Sequence, residues 1–178
     1  MLKYLKSTMD LKHTFWSGAL ALVLKALSDS DWAADAEDAI SVTGSLIMLA
    51  DAAVDWRSQK QKTVAHSSSE AEYIAASETA RDVVWFRELL KGMGLEQTEA
   101  TPLLMDNQTS IRFVEEDTVT PRRKHINVKY HYVRQLFREK VIKPQWVSTK
   151  ENPADLFTKA LPADSFTRFR DTIMGVRA

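Results

Sequence analysis

Four stretches of the chain set carboxylates among small polar neighbours. Ser28-Asp-Ser-Asp31 closes an aliphatic run, and Ser68-Ser-Glu-Ala-Glu72 opens a helical pattern. Asp106 follows the apolar Thr101-Pro-Leu-Leu-Met105, and Asp155 lies in Asn152-Pro-Ala-Asp155. Strand ends therefore carry Asp29 and Asp106, and helix starts carry Glu70 and Asp155. In an open α/β sheet those ends meet at one edge. Carboxylates gathered there raise one another's pKa, and a divalent cation removes the conflict. An all-oxygen site with few protein ligands suits Mg²⁺ or Mn²⁺. Two such ions, about 4 Å apart, would activate a water and stabilise the leaving oxygen in phosphodiester hydrolysis.

The distribution of charge fits that chemistry. Between Ser28 and Trp56 the acids are Asp29, Asp31, Asp35, Glu37, Asp38, Asp51 and Asp55, with no Lys or Arg among them. Between Pro121 and Lys150 the single acid is Glu139 amid nine basic residues. An acidic cation site beside a basic polyanion surface accounts for both blocks. Over the whole chain Lys plus Arg equals Asp plus Glu, so net charge selects no partner. With no cysteine, disulfides and thiolate zinc sites are excluded. No apolar run reaches the length of a membrane span. The Ala19–Leu24 run is too short for a signal peptide; Lys25 ends it and Asp10 interrupts the basic segment before it. Ser67 to Ser69 read as helix caps rather than nucleophiles, since no His–Asp pair is placed to activate one.

The elements that must position the carboxylates follow from periodicity. Leu2, Leu5 and Met9 have helical spacing. Strands are predicted over 19–28, 43–50 and 53–58, with a turn at Asp51–Ala52, which makes an antiparallel meander. A helix is predicted from about Ser68 to Lys91, stopped by Gly92-Met-Gly94. A short strand over 101–105, a helix over 111–116 and a basic helix over 124–140 come next. The strand over 142–148 contains Pro144, which predicts an edge position. Helical segments around Asp155 and over 165–174 complete the chain. Trp32, Trp56, Trp85 and Trp146 are expected to pack in the core or on a sheet face. The order implies an α/β fold, a mixed sheet with helices on its faces.

The motifs also carry a resemblance. Ser28-Asp-Ser-Asp-Trp-Ala33, Ser68-Ser-Glu-Ala-Glu-Tyr-Ile-Ala75, Asp106-Asn-Gln-Thr-Ser-Ile111, Lys124-His-Ile-Asn-Val-Lys-Tyr-His131 and Asn152-Pro-Ala-Asp-Leu-Phe-Thr-Lys-Ala-Leu161 occur in this order. Together they resemble the C-terminal RNase H domain of copia-type LTR retrotransposon (Gag-Pol) polyproteins. The resemblance covers nearly the whole chain, and Leu2-Lys-Tyr-Leu-Lys-Ser-Thr8 resembles the segment that links reverse transcriptase to that domain. Gly44-Ser45 stands where the family usually has Gly-Tyr.

The resemblance implies an RNase H-like fold: a mixed five-stranded sheet, an antiparallel meander followed by parallel strands, with helices on both faces. It implies a linker remnant over 1–18, the RNase H-like domain over 19–162, and a C-terminal helix and tail over 163–178. By motif position, Asp29, Glu70, Asp106 and Asp155 are the expected catalytic and metal-binding residues, holding two Mg²⁺ ions, with Mn²⁺ as the alternative. Asp31 and Glu72 are expected to support them. The expected nucleic-acid contacts are Asn107, Gln108, Arg122, Arg123, Lys124, His125 and Lys129. The implied partners are an RNA–DNA hybrid and a reverse transcriptase domain in the same polyprotein, with no membrane, in the cytoplasm or nucleus. The implied activity is metal-dependent cleavage of the RNA strand. The alternative is a catalytically inactive remnant that binds nucleic acid.

Overall fold

The structure, a computed structural model, describes residues 2–15, 22–32, 39–115 and 127–176. After a short helix α1 (Leu2–Ser7), three strands follow: β1 (Leu24–Asp31), β2 (Val42–Leu49) and β3 (Ala52–Lys60). Then come α2 (Ser68–Gly92), β4 (Thr101–Met105), α3 (Gln108–Glu115), α4 (Asn127–Arg138) and β5 (Ile142–Trp146). Two 3₁₀ turns, Thr149–Glu151 and Pro153–Phe157, lead into α5 (Ala163–Ile173).

The strands form one sheet in the order β3-β2-β1-β4-β5. β1–β2 and β2–β3 are antiparallel; β1–β4 and β4–β5 are parallel. This is the expected meander followed by parallel strands. β5 is an edge strand, so Pro144 sits where a missing N–H costs the ladder least. The hairpin between β2 and β3 turns on Ala50 and Asp51, one residue earlier than the sequence predicts, and both have positive φ (50° and 63°). Such a pair suits a two-residue hairpin, and Asp51 is tied back to Lys25 of β1.

Burial on both faces fixes the layers. Tyr73, Ala76, Ala80 and Val83 of α2 pack with Leu24, Ala26, Ile47, Leu103 and Met105 of the sheet; Val114, Val133 and Leu136 join them from α3 and α4. On the opposite face Leu27, Leu46 and Met48 pack with Ala154 of the second 3₁₀ turn, beside Phe157 and Ile173. Helical elements therefore lie on both faces, as expected. α1 has no buried residue, but its Tyr4 ring meets Phe166 of α5 at 5.6 Å.

The four tryptophans expected in the core or on a sheet face are about half exposed, Trp32 at 49%, Trp56 at 53%, Trp85 at 59% and Trp146 at 56%, so none of them lies in the core. Two of them show why. Trp32 and Trp146 each satisfy the indole N–H on a backbone carbonyl, of Ala65 (3.1 Å) and Asp106 (3.2 Å), leaving part of the ring at the surface. Among the described residues no helix is long and apolar enough to cross a membrane.

Candidate active site

β1 alternates its side chains between the two layers. Ser30 reaches toward α2, while Asp29 meets the segment after the second 3₁₀ turn. β4 runs parallel to β1 and ends one residue before Asp106, so both acids arrive at the same edge. Oxygens of Asp29, Glu72 and Asp106 all lie within 4.8 Å of one another. Asp155 is held beside Asp29 by the 3₁₀ turn Pro153–Phe157. That turn is capped by Asn152, whose Oδ1 accepts the Ala154 N–H (3.2 Å). The fully buried Asn152 also donates to the Ser28 carbonyl at 2.9 Å, which fastens the turn to β1.

Three of the four expected carboxylates, Asp29, Asp106 and Asp155, are thus brought to one edge, but the glutamate there is Glu72, not Glu70. Glu70 lies outside the group: its Oε2 accepts the His66 N–H at 2.9 Å, and its own N–H donates to Ser67 Oγ at 3.2 Å. Ser67 is the N-cap of α2, so the two residues cap the helix start, with the Glu70 carboxylate holding the N–H of the residue just before the cap. Positions two apart on a helix point to nearly opposite sides, so the two glutamates could not share the site. A signal for Glu72 was present in the sequence. Stepping back by helical turns along the apolar stripe of Val83, Ala80 and Ala76 leads to Glu72.

Each carboxylate has its own support. Glu72 Oε1 accepts from the Ser30 N–H (3.0 Å) and hydroxyl (2.9 Å). Asp106 Oδ2 accepts from Thr149 Oγ1 at 2.7 Å. Asp29 Oδ2 accepts from the Thr158 hydroxyl. The Lys159 ammonium lies 3.2 Å from Asp155 Oδ2 and 3.7 Å from Asp29 Oδ2. Spacing had singled out neither Lys159 nor Thr158.

Burial dominates the electrostatics. It raises the Asp29 pKa, against the opposing pull of Thr158 and Lys159. Burial, then the charges of Asp29 and Asp106, push Glu72 to about 9. Burial and neighbouring Asp29 lift Asp155 to about 7. Burial alone would lower Lys159, but Asp29 and Asp155 outweigh it and raise its pKa. Among the described residues, Glu72 Oε2 and Asp155 Oδ1 are buried with no hydrogen-bond partner. Orphaned, crowded, all-oxygen donors fit a hard divalent cation such as Mg²⁺ or Mn²⁺.

A pH dependence follows for the metal-free protein. Glu72 and Asp155 hold protons more tightly in the folded state than in the unfolded chain. Their contribution to stability is whole below the ordinary carboxylate pKa and is lost as pH climbs through about 7 for Asp155 and about 9 for Glu72. Urea denaturation in chelator is therefore expected to give a lower midpoint at pH 8.5 than at pH 6. A midpoint that rises over this range would contradict the assignment.

The expected nucleic-acid contacts divide. Asn107 Oδ1 accepts the Ser110 N–H (3.1 Å) at the start of α3, a capping role. Gln108 is exposed and lines an open groove with Arg112 and Trp146. Lys129 falls in α4. Arg122, Arg123, Lys124 and His125 lie outside the described residues.

No protein-family model matches the chain. The retrovirus-related Pol polyprotein from transposon TNT 1-94 of Nicotiana tabacum is 36% identical over 173 residues, which is 97% of this chain and 13% of that protein. Its counterpart from transposon RE1 of Arabidopsis thaliana is 32% identical over 173 residues, again 97% of this chain and 12% of that protein. The chain thus spans a small fraction of these relatives' length. Among solved structures, LC11-RNase H1 in complex with an RNA/DNA hybrid has a TM-score of 0.56 at 17% identity, covering 76% of this chain and 93% of that one. The N-terminal RNase H domain of rv2228c from Mycobacterium tuberculosis has a TM-score of 0.54 at 15% identity, covering 84% and 98%.

Proposed function

We propose, from the premise that this is an RNase H-fold chain whose homologues are retrovirus-related Pol polyproteins of copia-type transposons, that it hydrolyses the RNA strand of RNA–DNA hybrids. The observation that carries this reading is the convergence of Asp29, Glu72 and Asp106, with Asp155 alongside, at the sheet edge where β1 and β4 end. In this reading these four residues would hold divalent cations. A bound cation pair would supply water activation and charge stabilisation at the leaving oxygen.

The chain's own residues do the rest. Ser30 orients Glu72, so that its unpartnered Oε2 stays available to a ligand. Thr149 orients Asp106, and Thr158 orients Asp29. Lys129 of α4, exposed Gln108 and the basic segment 122–125 are proposed to hold the phosphate backbone. Contacts of that kind grip by charge rather than by base identity. Selection of a hybrid would rest on shape and on 2′-OH contacts to one strand. A reverse transcriptase domain of the same polyprotein is the proposed neighbour that supplies substrate.

The test is cleavage of a labelled RNA–DNA hybrid in Mg²⁺ and in Mn²⁺, with Asp106→Asn in parallel. The expected result is metal-dependent cleavage of the RNA strand, reduced by about 10²–10³-fold in Asp106→Asn. A folded protein that binds the hybrid with steep salt dependence, yet cleaves in neither metal, would be a nucleic-acid-binding module instead.

A further inference from the structure

Lys159 has a place in the cluster that the cation reading alone does not explain. Asp29, Glu72 and Asp106 gather their oxygens within 4.8 Å of one another, a group that does not include Asp155. A positive charge already lies against both Asp29 and Asp155. Lys159 Nζ approaches Asp155 Oδ2 at 3.2 Å and Asp29 Oδ2 at 3.7 Å. It gets there because it sits four residues beyond Asp155, where the chain bends back after the 3₁₀ turn with the Lys159 N–H bonded to the Asp155 carbonyl (3.2 Å). Its side chain is 34% exposed, so it can leave toward solvent. The two aspartates are almost fully buried and cannot follow it.

We propose that Lys159 is a built-in competitor for the second divalent cation, its ammonium neutralising the Asp29–Asp155 side until a metal ion displaces it. This inference rests on the metal-binding reading above. It divides the site into two unequal halves. Among the described residues, Lys159 makes its ion pairs with Asp29 and Asp155 and none with Glu72 or Asp106. The Asp29–Asp155 half must exchange an ammonium for a metal ion at the same oxygens. Displacement costs the lysine's ion pairing, reduced by its partial exposure to water. The chain therefore binds one ion strongly and the next more weakly.

The test is Mn²⁺ titration of the whole chain by calorimetry, with electron paramagnetic resonance to count bound ions. The wild type is expected to bind one Mn²⁺ and then a second about tenfold or more weaker, a gap of about 1.4 kcal/mol. Lys159→Met keeps the stem and removes the charge, and should bring the two affinities together. In chelator its thermal midpoint should fall, because Asp29 and Asp155 lose their counterion. Lys159→Arg keeps the charge and should keep the inequality. Two equal ions in the wild type, or a Lys159→Met titration that matches it, would overturn the role of Lys159 while leaving the metal site standing. No Mn²⁺ bound by either protein would instead remove the metal-dependent reading and this inference with it.

Discussion

Glu72→Gln is expected to lower RNA-strand cleavage about a hundredfold or more, while Glu70→Gln leaves most of it. Both are acids of one short motif, so the contrast isolates position. Glutamine at 72 keeps an oxygen for the Ser30 donors but can no longer offer a negative charge beside Asp29 and Asp106. Losing one charged group aimed at the reacting centre typically costs that much. The variant should still fold well. In the metal-free protein burial and its acidic neighbours already favour the protonated, neutral form of Glu72, which glutamine imitates. Its midpoint in chelator should equal or exceed the wild type's, and its loss of stability at high pH should be smaller. Glutamine at 70 can still accept from the His66 N–H, so the cap of α2 survives. Alanine at 70 should cost on the order of 1 kcal/mol, the size of a capping interaction. Normal cleavage by Glu72→Gln, with loss in Glu70→Gln, would return the role to Glu70.

Gly44→Ala should damage both stability and activity, although Gly44 touches no carboxylate by a side chain of its own. Gly44 is paired with Asp29 across β1–β2. A Cβ there would lie 2.6 Å from the Ala154 carbonyl oxygen, 2.7 Å from Thr158 Cγ2 and 3.2 Å from Phe157 Cβ. The first of these is backbone and cannot rotate away. The 3₁₀ turn would have to lift off the sheet, taking Asp155 and Thr158 with it. Overpacking of this kind costs about 1–3 kcal/mol, and activity should fall even at temperatures where the variant stays folded. Gly92→Ala is the matching control. Its Cβ would meet nothing within 4 Å at the end of α2, so stability should hold or rise slightly. Denaturation midpoints and cleavage rates for the pair decide the matter. Equal behaviour of the two variants would mean that the turn does not depend on close approach to Gly44.

What could be read in the sequence divides along a physical line. Element type is local. Aliphatic runs, caps and breakers placed β4 at Thr101–Met105 and α2 from Ser68, and Pro144 marked an edge strand. Chain order then implied a mixed sheet, and Asp29 and Asp106 fell together because the ends of a parallel pair must meet at one edge, while Asp155 joined them through the Asn152-capped turn fastened to β1. The rest was decided by how surfaces meet. Choosing Glu72 over Glu70 required the rotation of α2 about its axis. That rotation is set by Tyr73, Ala76, Ala80 and Val83 against the sheet, and a two-residue difference along the helix turns a side chain by roughly 200°. Trp32 and Trp146 stay at the surface because a large ring with one polar atom is satisfied there by a single carbonyl. Gly44 and Lys159 carry no local signal. One matters because a backbone from over a hundred residues away rests on it, and the other because folding brings its ammonium between two buried aspartates. Sequence periodicity determined which elements form and which of their ends hold acids. Only the packing of those elements on one another decided which side chains share the site, because contact between surfaces depends on rotation and approach that no single segment encodes.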